Sequence, residues 1–165
     1  MKLYVKQKVF AIGDKFSVTD AEGQIRYTVE GELISLGKRL HIFDSSHREL
    51  ALVKQKLLTL LPRFLVLVNG QETAQIARKM TMFRSKFLVE GLGWEVIGEV
   101  LQHDYTIRDN GRTIAAIHKK WMSWGDSYEM DIADDADEIT ALAVVLAIDA
   151  VLDADQAAAS AASSN

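Results

Sequence analysis

The chain has 165 residues, 48% of them hydrophobic and 25% charged, with a formal net charge of −4, a composition typical of a soluble globular domain. Its length corresponds to about one domain, which is large enough to bury a core without crosslinks. The absence of cysteine excludes disulfide frameworks, thiolate metal sites, cysteine nucleophiles and CxxC redox pairs. At the N-terminus, lysines at 2, 6 and 8 interrupt the apolar stretch that a signal peptide needs, which predicts a cytoplasmic protein.

Apolar and polar residues alternate in short stretches from residue 2 to 133, and turn residues separate these stretches, a pattern typical of consecutive β-strands. Leu3, Val5 and Val9 form the first alternation, and Phe16 and Val18 form the second, before the turn at 20–23. Asn-Gly pairs at 69–70 and 110–111 are strong hairpin signals. About twelve strands are predicted in all, the later ones being Ile25–Gly31, Arg39–Asp44, Glu49–Leu57, Arg63–Asn69, Gln71–Met80, Ser85–Glu90, Trp94–Val100, Tyr105–Asp109, Thr113–Trp121 and Tyr128–Ile132.

The C-terminal part changes to a helical pattern at residues 137–153. Between Ile139 and Leu152 only Thr140 and Asp149 are polar, so this helix must be surrounded by protein or by lipid. Fourteen residues span about 21 Å, short of the roughly 30 Å hydrocarbon layer, which favours a buried core helix. Asp134 or Asp135 is the expected N-cap, with the acids at 137 and 138 near the positive end of the helix dipole. The Ala/Ser-rich tail at 156–165 is predicted to be disordered.

One arrangement accommodates twelve strands and one wholly apolar helix. A sheet that closes around the helix has no exposed edge, and a barrel of this size encloses more space than its own side chains fill. The sequence therefore predicts a mainly β, twelve-stranded closed barrel around a buried C-terminal helix, as a single domain over residues 1–155.

Several motifs in this order resemble the LURP-one-related proteins, a family of the Tubby C-terminal-like superfamily. The resemblance rests on residues 16–20 with Gly23, 29–31, 54–57, 115–121 with 125–128, and 146–149. It implies a twelve-stranded barrel around a hydrophobic C-terminal helix. In Tubby-type domains a basic strand-loop region binds phosphoinositide head groups, and Arg78 and Lys79 fall closest to it, although the polybasic insertion there is reduced to residues 80–83.

Catalytic and metal-binding patterns are sparse. The four histidines, at 41, 47, 103 and 118, have no HExxH, HxH or HxxxH spacing, and no Walker loop, GxSxG elbow or dinucleotide fingerprint occurs, so no enzymatic activity and no cofactor are predicted. Trp94, Trp121 and Trp124 fit packing in the barrel wall better than a ligand site. Five carboxylates lie around the start of the helix: Asp131, Asp134, Asp135, Asp137 and Glu138. They fit either of two interpretations, a site for a hard cation or the capping of the helix start.

The charges are unevenly distributed along the chain. From Lys54 to Lys86 there are seven basic residues and one acid, and from Asp126 to Asp155 there are ten acids and no base. Either the two segments attract each other within the fold, or the first forms a basic face for a polyanion. Lys54 and Lys56 are two apart and so share an outward face of one strand. The candidate polyanion-binding residues are Lys54, Lys56, Arg78, Lys79, Arg84 and Lys86.

The leading hypothesis is a non-enzymatic protein that binds an anionic membrane surface or a protein partner. A carrier of a small apolar ligand, within or beside the barrel, is the first alternative, although the central helix fills the lumen. Nucleic-acid binding is not expected, because stacking aromatic residues do not alternate with the basic ones.

Overall fold

The computed structural model describes residues 1–6, 15–32, 35–80, 85–122 and 125–163. In this part of the chain there are twelve strands, one 3-10 turn at Val100–Gln102 and one α-helix. The strands are β1 (Lys2–Lys6), β2 (Lys15–Thr19), β3 (Ile25–Gly31), β4 (Arg39–Phe43), β5 (Glu49–Gln55), β6 (Arg63–Val68), β7 (Gln71–Met80), β8 (Ser85–Glu90), β9 (Trp94–Glu99), β10 (Asp104–Asp109), β11 (Arg112–Met122) and β12 (Gly125–Ile132). The helix is α1 (Glu138–Ser163).

Each strand pairs antiparallel with its neighbours in the chain, and β1 pairs with β12, so the sheet closes into a barrel. Closure gives each of the twelve described strands a partner on both sides, which removes the exposed edges that promote aggregation. The prediction of a mainly β, twelve-stranded closed barrel with one C-terminal helix is confirmed.

The strand pattern follows from period-two alternation, because successive side chains point to opposite faces of the sheet. In β6, for example, Phe64 and Val66 are fully buried and face the interior, while the residues between them face outward. Three predicted strands match the observed bounds at both ends, namely β3, β7 and β8. Several other bounds differ by one residue, and two differ by more than one. The strand predicted to reach Leu57 ends at Gln55, where the connection to β6 begins, and β12 begins at Gly125 rather than Tyr128.

The helix α1 fills the barrel, and every residue from Thr140 to Leu152 is buried. It packs most closely against β5, β6 and β7. Its N-cap is Asp137, whose carboxylate accepts a hydrogen bond from the backbone N–H of Thr140 at 2.9 Å. Neither Asp134 nor Asp135 caps the helix, because the chain turns through these residues before the helix begins.

The helix also extends further than the sequence indicated, since it ends at Ser163 rather than near residue 153. Its last turns are rich in alanine, the residue with the highest helix propensity, and contain neither glycine nor proline. Residues 156–163 are exposed, however, so these turns project beyond the barrel.

Deletion of residues 157–165 is therefore expected to change stability little, by about 0.5 kcal/mol or less, because exposed residues contribute little to the free energy of folding. Thermal unfolding of the truncated and full-length chains measures this. A large fall in melting temperature would show that the projecting turns pack against the barrel.

The barrel has two unlike ends. Asp, Asn and Gly turns connect the strands at the helix-start end, for example at 20–24, 69–70 and 110–111. The helix leaves at the other end, here called the helix-exit end, where β3, β5, β7 and β9 end and β4, β6, β8 and β10 begin. Two ion pairs hold the helix there, Lys38 with Asp153 at 3.1 Å and Arg78 with Asp155 at 3.0 Å.

Candidate functional site

The basic residues of the segment 54–86 gather near the helix-exit end of β5 to β8. Lys79 and Lys86 lie directly opposite each other on β7 and β8. The backbone N–H of Lys56 donates to the carbonyl of Arg63 at 2.8 Å, which places these two residues side by side at the ends of β5 and β6. Lys54 follows buried Val53 and therefore points outward on β5. Lys56, just beyond the end of β5, is exposed and contacts Gln75 on the outer face of β7. Lys54, Lys56, Arg63, Lys79 and Lys86 are here called the basic patch.

Not every predicted site residue joins this patch. Arg78 follows buried Ile76 by two positions, so its side chain points inward, where it is bound to Asp155 of the helix. Its predicted role on an outward face is therefore corrected, because alternation along β7 places Lys79 outward and Arg78 inward. Arg84 lies outside the described residues. Arg63 was not among the predicted site residues, although it belongs to the same basic segment.

Nearby acids neutralise little of the positive charge of the basic patch in the described parts of the chain. Within the described parts of the chain, Lys54, Lys79 and Lys86 form no ion pair. The ammonium of Lys56 donates to the neutral side-chain amide of Gln75 at 3.2 Å. Arg63 lies 3.9 Å from Glu90, a distance at which an exposed pair contributes little.

The acidic segment 126–155 is largely neutralised by cations that lie elsewhere in the chain. Arg78–Asp155 joins the two segments, as the attraction hypothesis predicts. Other acids pair with cations outside the basic segment: Glu129 with Lys2 and Lys120, Asp135 with Arg112, Glu138 with Arg26, and Asp153 with Lys38. Attraction between the segments therefore accounts for Arg78, while the other basic residues of the segment that the structure describes face outward.

The carboxylates around the helix start have separate partners. Asp137 caps the helix, and Glu138 accepts a hydrogen bond from the hydroxyl of Tyr27 at 2.7 Å. Asp135 pairs with Arg112. Among the residues that the structure describes, no three histidine or acidic side chains are grouped so as to hold a metal ion. Helix capping, hydrogen bonding and ion pairing therefore explain the positions of Asp137, Glu138 and Asp135.

A buried polar cluster lies inside the barrel, where the sequence had indicated only an apolar core. Asp149 of the helix accepts a hydrogen bond from the hydroxyl of Tyr128 at 2.7 Å, and its other oxygen lies 3.2 Å from Nε2 of His103. The rings of His103 and Tyr128 stack with centroids 4.7 Å apart. Burial, and then the nearby Asp149 charge, raise the pKa of Tyr128 and of Tyr105 well above 10. The one sequence signal for this cluster is the lone charged residue, Asp149, in an otherwise apolar helical segment.

A surface cleft of about 440 Å³ lies between β8 and β9. These strands are paired at only two positions, Leu88 with Glu95 and Val89 with Trp94, so they separate beyond them. The cleft is lined by apolar side chains that include Phe87, Trp94 and Val96, together with Lys86 and Glu90. Trp94 packs partly against the core, whereas the side chains of Trp121 and Trp124 lie outside the described part of the chain.

No helix in the described parts of the chain is long and apolar enough to cross a membrane.

Comparison with known proteins agrees with this architecture. A crystal structure of a protein from Arabidopsis thaliana superposes with a TM-score of 0.66 over 91% of this chain and 90% of that one, at 14% identity, which shows a shared fold. The uncharacterized protein YxjI of Bacillus subtilis is 36% identical over 152 residues, covering 92% of this chain and 94% of that protein. Residues 1–149 match the family described as LURP-one-related. The chain therefore belongs to the LURP-one-related family.

Proposed function

We propose that this protein is a non-enzymatic binding protein that docks reversibly on anionic phospholipid surfaces through the basic patch. The observation that supports this most directly is the contrast between the two charged segments. Five of the acids, Glu129, Asp135, Glu138, Asp153 and Asp155, are paired with lysine or arginine around the barrel. Lys54, Lys79 and Lys86, in contrast, face outward without an ion-pair partner among the described residues. A docking role at the inner face of a membrane fits the cytoplasmic location that the sequence predicts.

The strength of such docking follows from the number of cations. Each basic residue close to an anionic surface contributes about 1 kcal/mol, so the five residues of the basic patch contribute about 5 kcal/mol at most. This supports weak, reversible binding and not a permanent anchor. The patch is also held rigidly, because the helix packs against β5, β6 and β7 from inside. Little backbone entropy is therefore lost on docking, while each lysine side chain that becomes ordered costs about 0.5–1.5 kcal/mol.

Co-sedimentation with phospholipid vesicles tests the proposal. We expect binding to vesicles that contain acidic lipid at low salt, weaker binding as salt screens the attraction with a Debye length of about 8 Å at physiological ionic strength, and no binding to neutral phosphatidylcholine. The triple variant Lys54→Gln, Lys79→Gln, Lys86→Gln is expected to lose about 3 kcal/mol, or roughly a hundredfold in partition coefficient.

A matched control removes the same charge elsewhere. Arg108, Arg112 and Lys119 are exposed on β10 and β11, away from the basic patch in the barrel order, and their combined replacement by glutamine changes the net charge equally. This control variant is expected to bind acidic vesicles almost as well as the wild type. Equal losses in both variants would indicate a net-charge effect without a defined patch. A wild type that ignores acidic vesicles even at low salt would refute the proposal and favour a protein partner.

The cleft between β8 and β9 favours a second candidate function, the transport of a small apolar ligand. Its apolar wall includes Trp94, whose fluorescence should change when a ligand enters. Native mass spectrometry of the purified protein would reveal a retained ligand. Replacement of Val96 by tryptophan should close the cleft and release the ligand if it is bound there.

A further inference from the structure

The connection between β5 and β6, residues 56–62, presents four leucines to solvent. Leu58 and Leu60 are fully exposed, at 106% and 105%, and Leu57 and Leu61 are exposed by 48% and 45%. Large apolar residues scattered singly over a surface are ordinary, but a contiguous apolar group marks an interaction site. Here four of five consecutive residues are leucine.

The backbone gives a second, independent observation. Leu58 has a φ of 59°, in the left-handed region that non-glycine residues rarely adopt and that asparagine and glycine tolerate much better. Asparagine would suit both the backbone and the solvent at this position. A leucine is therefore unfavourable here for the isolated barrel in two separate respects, which indicates a role in contact with something outside it.

A neighbouring turn enlarges the apolar group. Leu36, in the connection before β4, is 83% exposed. Its turn is joined to the end of β5 by two hydrogen bonds, from the N–H of Lys38 to the side-chain oxygen of Gln55 at 3.0 Å and from the N–H of Gln55 to the carbonyl of Lys38 at 2.8 Å. Leu57 lies against Gly37 of that turn. Leu36, Leu57, Leu58, Leu60 and Leu61 are here called the leucine tip.

The surroundings of the leucine tip indicate what it binds. Lys56 and Arg63 of the basic patch border it on both sides, and the whole patch lies near this same end of the barrel. Anchors of protein–protein interfaces are mainly Trp, Tyr and Arg, and leucine is under-represented among them. A projecting apolar loop bordered by cations is suited to a bilayer, where apolar side chains enter the acyl boundary and cations meet the phosphates.

We propose that the leucine tip inserts into the interface of an anionic bilayer, so that the barrel docks with its helix-exit end facing the membrane. This inference rests on the proposed function and adds to it an apolar insertion and an orientation. The basic patch supplies the charge attraction that depends on salt, and the leucine tip supplies a contribution that salt does not screen.

A single labelled cysteine tests the orientation, because the chain has no cysteine of its own. Leu60→Cys carrying an environment-sensitive fluorophore is expected to shift its emission to the blue when vesicles of phosphatidylserine and phosphatidylcholine are added. Glu22→Cys, labelled in the same way in an exposed turn at the helix-start end, is the matched control and is expected to show no shift.

A second experiment separates binding from stability. Leu58→Asn is expected to keep or raise the melting temperature, since asparagine tolerates the left-handed backbone, and Leu58→Asn with Leu60→Ser is expected to weaken vesicle binding more than tenfold. The remaining binding should keep the salt dependence of the wild type.

The outcomes distinguish the two proposals. If the wild type binds acidic vesicles but the Leu60→Cys probe stays in water and the leucine variants bind normally, the insertion is refuted and docking through the basic patch stands. If the wild type does not bind acidic vesicles, both are refuted. If the purified protein forms oligomers that Leu58→Asn dissociates, the leucine tip binds a second copy and the membrane inference is overturned.

Discussion

Replacement of Leu146 by aspartate is expected to abolish folding. Leu146 lies in the middle of the buried part of α1, is completely inaccessible to solvent and is surrounded by a closed barrel. Removing a buried leucine side chain alone costs about 2–5 kcal/mol. An unpaired buried carboxylate adds several kcal/mol, and together these reach the whole stability of an ordinary domain, about 5–15 kcal/mol.

Soluble expression and far-ultraviolet circular dichroism measure the result, and Ala157→Asp is the matched control. Ala157 is on the same helix but exposed, so the same new charge there meets water and is expected to have little effect. Leu146→Ala should fold with a free energy of unfolding lower by about 2–5 kcal/mol. A stable, soluble Leu146→Asp protein would contradict the central position of the helix.

The protein is expected to lose stability steeply above about pH 10. Burial raises the pKa of Tyr27, Tyr105 and Tyr128, with a further contribution from the hydrogen bond of Tyr27 to Glu138 and from the charge of Asp149 near the other two. In the folded protein these tyrosines keep their protons, while in the unfolded chain they release them above about pH 10. The unfolded state is then favoured, by about 1.4 kcal/mol per pH unit for each tyrosine, or about 4 kcal/mol for three.

Thermal unfolding between pH 8 and 11 measures this dependence. The stabilisation is present in full below about pH 10 and is lost progressively as the pH rises above it. Tyr105→Phe should reduce the slope by about a third and leave stability at pH 7 equal or higher, because the Tyr105 hydroxyl is buried and has no hydrogen-bond partner among the described atoms. Tyr128→Phe should also reduce the slope but cost about 1–3 kcal/mol at pH 7, since it leaves one oxygen of Asp149 unpaired. A melting temperature independent of pH over this range would refute the role of the buried tyrosines.

The helix that fills the barrel also limits where a small apolar ligand could bind. The helix occupies the interior, and its side chains from Thr140 to Leu152 are all buried, while the apolar cleft opens in the barrel wall, in the gap between β8 and β9. A carrier function would therefore use the gap between β8 and β9 and not the lumen. Surface docking requires no such space, which is one reason why it is the preferred proposal.

The sequence by itself determined the architecture. Alternation with a period of two predicted the strands, in β3, β7 and β8 with both bounds as observed, because side-chain direction along a strand is a local property of the backbone. The wholly apolar segment around Val145 required burial, and a closed barrel is what could provide it. The excess of basic residues between Lys54 and Lys86 was equally visible in the sequence.

Only the tertiary structure decided which groups meet. Asp149 lies 46 residues along the chain from His103, and Arg78 lies 77 residues from Asp155, yet closure of the barrel around the helix brings each pair into contact. Alternation along β7 does distinguish the inward Arg78 from the outward Lys79, but local periodicity carries no information about which group Arg78 meets. The same is true of the leucine tip. Leu57 was assigned to a strand because apolar residues usually mark one, and its exposure depends on where β5 ends and on which neighbouring turn lies beside it.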